Sequence, residues 1–259
     1  MDSDPSRIPV EPIPFEYGLT RFAQSVRGRA KIVAIGSSST VGHGTIRPYP
    51  ERLLSFLQAQ YPNAKITMVN QGIGGQEAPL ELQRFDTDVI AEKPDLVIWQ
   101  VGTNSVWQSP DQNPPSLDET TSAIREGLLK LRKETQADVI LMDLQYLPGM
   151  LTPAKKARSI QMVEAISQLA LDAGVNVFRR FAFMKGLIEV EQVSIDRLVD
   201  EADNDRFHQS DWATFRVAWA MKLAIERAVE KAAASGGSPD VCAASHFHLS
   251  CCALCSAVL

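Results

Sequence analysis

The stretch KIVAIGSSSTVGHGT, residues 31–45, decides how this chain is to be read. An apolar, β-branched run ends at Gly36 and opens into three serines. A run uninterrupted by charge suits a strand buried on both faces, as in a parallel sheet. A polar loop at its carboxyl end stands where open α/β sheets place their chemistry. The serines admit three readings: a polar loop, a phosphate cradle, or a nucleophile.

Four further runs have the same character: KITMVNQG (65–72), DLVIWQVG (95–102), ADVILMDL (137–144) and VNVFRR (175–180). Helical spacing lies between them. Leu53, Leu54 and Leu57 share a face in 49–60, as do Ile124, Leu128 and Leu131 in 118–135, with Ser116 or Asp118 as cap. Ile160, Val163, Ile166 and Leu169 repeat the spacing in 153–173, and Ser210 or Asp211 caps a last helix through Trp219, Met221 and Ile225. Strands alternating with helices predict right-handed crossovers, a five-stranded parallel sheet and a three-layer α/β/α sandwich. The expected organisation is an irregular, proline-rich arm over 1–29, the catalytic-size domain over 30–233, and a flexible tail over 234–259.

Composition narrows the function. Hydrophobic residues make up 45% and charged ones 22%, as in ordinary globular proteins. With 26 basic and 31 acidic residues and no basic block, the chain lacks the clustered cations that nucleic-acid binding needs. No apolar run reaches the roughly 18–20 residues of a membrane span. The N-terminus, acidic and rich in proline, is unlike a signal peptide, so the expected compartment is the cytoplasm, or the exterior if an export signal precedes this sequence. The four cysteines fall between Cys242 and Cys255, with His246 and His248 among them. That crowding suits an unstructured appendage better than a zinc module built from separated ligand pairs.

Acyl transfer by a serine requires a base that titrates near neutrality and donors for an oxyanion. Of the four histidines, two lie in the tail and His43 follows the serines in the same loop. His208, in NDRFHQSDW, stands just ahead of the last helix, with Asp205 three residues before it. Taken singly, each signal is bland. D-x-x-H arises by chance, and Asp205 equally suits a turn that hydrogen-bonds its own backbone. A phosphate cradle would require G-K-[ST] or G-x-G-x-x-G, and GSSSTVGHGT has neither.

Together, in this order, Gly36-Ser37-Ser38, NQGIGG around Gly72, Gly102-Thr103-Asn104-Ser105 and Asp205…His208 resemble the four blocks of the GDSL/SGNH hydrolase family. The resemblance spans about residues 31–230. It implies a flavodoxin-like SGNH hydrolase fold and a serine esterase. Ser38 takes the nucleophile's place, His208 the base's and Asp205 the orienting acid's. The Ser38 N–H, the Gly72 N–H and the Asn104 side chain take the places of the oxyanion donors. Ser37 and Ser105 stand where the family usually has aspartates, and neither change removes a group the reaction requires. The resemblance implies no metal or organic cofactor and a short-chain substrate, with a carbohydrate acetyl ester or an aryl ester foremost. Trp107, in the segment after the third block, is placed to stack on such a ring or to pack into the domain. The alternatives are a thioesterase or lysophospholipase acting on longer acyl chains, and a non-catalytic binding module on the same fold. The sequence carries no sign of the oligomeric state.

Overall fold

The computed structural model describes residues 10–235 of the 259. The cysteine-bearing tail, with the metal question it raised, lies outside the described residues. Strands β1 (Arg29–Gly36), β2 (Lys65–Gly72), β3 (Leu96–Gln100), β4 (Asp138–Met142) and β5 (Asn176–Phe178) form one parallel sheet in the order β2-β1-β3-β4-β5. That is the flavodoxin-like order, whose reversal between β1 and β3 opens a crevice at the carboxyl edge.

The helices in chain order are α1 (Thr20–Ser25), α2 (Ser38–Val41), α3 (Tyr49–Gln60), α4 (Ala78–Gln83), α5 (Thr103–Trp107), α6 (Leu117–Glu134), α7 (Pro153–Ala173), α8 (Arg180–Glu189) and α9 (Asp211–Ser235). Alternation along the strands splits the core in two. Ile32, Ala34 and Ile98 face α1, α3, α8 and α9, while Val33, Ile35, Val97 and Trp99 face α4, α6 and α7. Ser116 caps α6, accepting from the Glu119 N–H while the Glu119 carboxylate accepts from the Ser116 N–H. Ser210 caps α9 by accepting from the Ala213 N–H, 3.1 Å.

Residues 10–19, expected as part of an irregular arm, hold no helix or strand, yet with α1 they pack on the domain: Phe15, Leu19 and Phe22 are buried in the core, and the Leu19 N–H donates to the Ala228 carbonyl of α9. Two expectations are corrected. The VNVFRR run leaves the sheet at Phe178, and Arg180 begins α8 fully buried, its charge solvated by Gln145 and the Asp143 carbonyl. On α7, Ile160 is exposed and Met162 takes the core position. No helix among the described residues is long and apolar enough to cross a membrane.

Candidate active site

β1 delivers Ser38 to the carboxyl edge as the first residue of α2, where a backbone N–H has no acceptor within the helix. The loop is held from beneath. The Ser37 N–H and hydroxyl both donate to Gln100 Oε1 at 2.9 Å, joined by Thr40 Oγ1 at 3.4 Å. The acceptor is a neutral amide, so the serine that replaces the expected aspartate fits here, whereas a carboxylate would face an oxygen. Gln100 Nε2 donates to Thr103 Oγ1, which donates to Gln145 Oε1; Gln145 Nε2 reaches the Phe207 carbonyl. A buried polar chain thus links the serine loop to the loop carrying His208.

His208 Nε2 lies 3.2 Å from Ser38 Oγ. Its Nδ1 lies 3.0 Å from Asp203 Oδ2, which also accepts the N–H groups of His208 (2.6 Å) and Phe207 (2.8 Å). With Nδ1–H donating to the carboxylate, Nε2 is left as an acceptor for the serine proton. Burial opposes the Asp203 charge, but these donors outweigh it and hold its pKa below the ordinary value. Burial lowers the His208 pKa, with the charge of His43 adding to it and the two carboxylates Asp203 and Asp200 opposing.

Asp205, the expected orienting acid, is exposed in this arrangement. Its N–H donates to Asp203 Oδ1 at 3.2 Å. That is a turn closed by the Asp203 side chain, and it sends the Asp205 carboxylate outward. Arg206, at φ +54°, completes the reversal. The signal for Asp203 lay in the DND triplet, whose first member is the natural start of such a turn.

Gly72, expected among the oxyanion donors, has its N–H engaged within its own strand end. Its N–H donates to Asn70 Oδ1 at 3.0 Å, and it must be glycine because a Cβ there would collide with the backbone of Val41. In the turn that follows, the Gly75 N–H makes no hydrogen bond among the described residues, while the Gly75 and Gln76 carbonyls accept from Gln108 and from Asn104 Nδ2. The Asn104 amide spends one of its two N–H groups on Gln76.

Sequence reasoning missed Glu77. This buried carboxylate accepts from the Gly102 N–H (3.2 Å), the Asn104 N–H and the Ser105 hydroxyl (2.9 Å), fixing the third block. Burial raises its pKa against those donors. Ser105 serves as a donor to Glu77 where an aspartate would repel it. Trp107 is sandwiched: Phe207 stacks on one face at 4.1 Å and the Lys155 ammonium lies 3.6 Å from the ring centre on the other. Neither face is open to a sugar.

A family match covers residues 5–231. The chain belongs to the Non-GDSL lipase-like family. This corrects the GDSL/SGNH resemblance to a different lipase-like family. An acetylxylan esterase of Geobacillus stearothermophilus is 31% identical over 148 residues, a stretch that spans 55% of this chain and 65% of that protein. The solved structure of Axe2, an acetylxylan esterase from the same organism, superposes with a TM-score of 0.64 at 25% identity, covering 79% of this chain and 96% of that one. LAE5, an alpha/beta hydrolase from the Lake Arreo metagenome, shares the fold with a TM-score of 0.62 at 21% identity, over 78% of this chain and 95% of that one. Serine, aspartate and histidine variants of Axe2 are described as catalytic mutants. The altered aspartate and histidine lie three positions apart in that chain, the spacing of Asp205 and His208 here.

Proposed function

We propose that this chain is a carboxylic ester hydrolase that removes short acyl groups, foremost acetyl groups from carbohydrate, through a serine acyl-enzyme. The observation that carries the reading is the contact of Ser38 Oγ with His208 Nε2, whose far nitrogen is held by a carboxylate. The Ser38 hydroxyl attacks the ester carbonyl as His208 takes its proton; the alcohol leaves with that proton, and water repeats the sequence on the acyl-enzyme. Asp203 orients the ring and offsets its charge. The oxyanion is received by the N–H groups of Ser38 and Gly75 and by the second N–H of Asn104.

Beside Ser38 lies only a small cavity, bounded by Gly42, His43, Ile46, Pro48 and Thr214. The kinship with an acetylxylan esterase favours a carbohydrate as the alcohol.

The test is hydrolysis of p-nitrophenyl acetate, p-nitrophenyl octanoate and acetylated xylooligosaccharides by the wild type and by Ser38→Ala. The acetyl esters should be preferred, and Ser38→Ala should lose on the order of 10⁶ in kcat if the triad acts as a unit. A preference for octanoate would turn the reading toward a lipid or thioester substrate. Equal activity of the two proteins would remove Ser38 from the chemistry.

A second reading concerns the acid alone. The spacing seen in Axe2 favours Asp205 in that role, against the contact made by Asp203.

A further inference from the structure

His43 has no part in the mechanism above, yet its ring lies flat on His208. The centroids are 3.6 Å apart and the planes differ by 1°. The ring is reached by an unusual backbone. Gly42 (φ +108°) and Gly44 (φ +56°) flank it, both in conformations that side chains rarely adopt, so the chain doubles back toward the 199–209 loop. His43 Nδ1 then lies 3.4 Å from Asp200 Oδ2. Asp200 belongs to the His208 loop itself: its N–H donates to the His208 carbonyl, and its own carbonyl accepts from the Asp203 N–H. The ring of His208, hydrogen-bonded to Asp203, is thus stacked on the ring of His43, which approaches Asp200 without a hydrogen bond.

We propose that His43 is a positioning residue, holding the plane of the His208 ring and coupling the Ser38 loop to the His208 loop through Asp200. The inference rests on the ester-hydrolase reading. The two hydrogen bonds of His208 lie in its ring plane, at Nδ1 and Nε2, and resist rotation of the ring about the axis between them only weakly. A stacked neighbour resists that rotation directly. His43 sits five residues beyond Ser38 on the same loop, so the stack also sets the distance between nucleophile and base.

The charged groups facing the two rings are Asp200 and Asp203 from the 199–209 loop, and each imidazole for the other. The remaining neighbours, Ile46, Pro48, Gln209 and Thr214, carry no titratable group. A cationic His43 opposes protonation of His208, and Asp200 favours it. Removing the first should make His208 easier to protonate, and removing the second harder.

The experiment is a set of kcat and KM profiles against pH on p-nitrophenyl acetate for the wild type, His43→Phe, His43→Ala and Asp200→Asn, with Ser38→Ala alongside. His43→Ala should lower the plateau kcat by roughly tenfold to a hundredfold, the cost of a misplaced catalytic group, with KM little changed. His43→Phe restores a stacked ring and should recover most of that loss, while its acid limb moves to higher pH. Asp200→Asn should move the acid limb to lower pH. His43→Ala and His43→Phe both matching the wild type in kcat and pH profile would overturn the proposal. If His43→Ala fails to fold, His43→Leu replaces it: a kcat well below that of His43→Phe at similar KM supports the proposal, and equal kcat in the two overturns it. Undiminished activity in Ser38→Ala would instead remove the Ser38–His208 pair from the chemistry and so overturn the serine acyl-enzyme reading, so the two failures are distinguishable.

Discussion

Asp203 Oδ2 gathers three donors, two from the backbone and one from the His208 ring, so its removal disturbs both the shape of the loop and the tautomer of the base. Asp203→Asn should lower kcat on the order of 10⁴-fold, as the loss of a triad aspartate does elsewhere. Asp205→Asn, an exposed change, should leave kcat close to the wild type; steady-state kinetics on an acetyl ester separates the two, and the reverse ranking would hand the role to Asp205. The base itself sets a pH limit. In the proposed mechanism only neutral His208 accepts the serine proton, and its pKa is lowered from the ordinary 6.5. The rate should thus hold as pH falls to that value and decline only below it, an acid limb readable from kcat/KM against pH. At this scale Ser38, His208 and Asp205 stood out only as a set, through the resemblance of four short blocks in one order, since each is bland singly. Asp203, the carboxylate that meets the His208 ring, was not singled out, because the D-x-x-H spacing drew the reading to Asp205 and the turn chemistry of DND leaves no such motif.

Among the elements, the strands and the four long helices were legible from their apolar spacing, and the short ones were not. α2, α4 and α5 are four to six residues long, shorter than the period needed to show a face, and they exist because buried polar groups anchor them. Glu77 pins α5, and Gln100 pins the start of α2. Such anchors leave no periodic trace in a sequence. The packing of α6 on β3 gives a sharper consequence. Gly127 lies inside α6, where glycine costs about 1 kcal/mol relative to alanine. It is there because a Cβ would stand 2.5 Å from the Trp99 ring, whose indole N–H is held by Glu81 at 2.6 Å. Gly127→Ala, stabilising in an ordinary helix, should here destabilise by about 1–3 kcal/mol through overpacking, seen as a lower urea midpoint with an unchanged slope.

Over the whole molecule, the sheet order and the three layers follow from alternation of strand and helix, and these were legible. The role of the N-terminal segment was not, because its prolines and short helix mask an apolar series, Phe15, Leu19 and Phe22, that closes the core beneath α9. Removing residues 1–19 should therefore cost about 3 kcal/mol or more, from two buried side chains at about 1.5–3 kcal/mol each, and lower the thermal midpoint. α9 starts three residues after His208 and runs 25 residues, roughly 37 Å, and towards its far end Ala228 and Ala232 meet Leu19 and Gly18. The described segment therefore leaves the domain at the face opposite the serine. A protein fused at Ser235, or a solid support coupled there, would hang from the far side of the molecule and leave the crevice open to a substrate as bulky as an insoluble polymer.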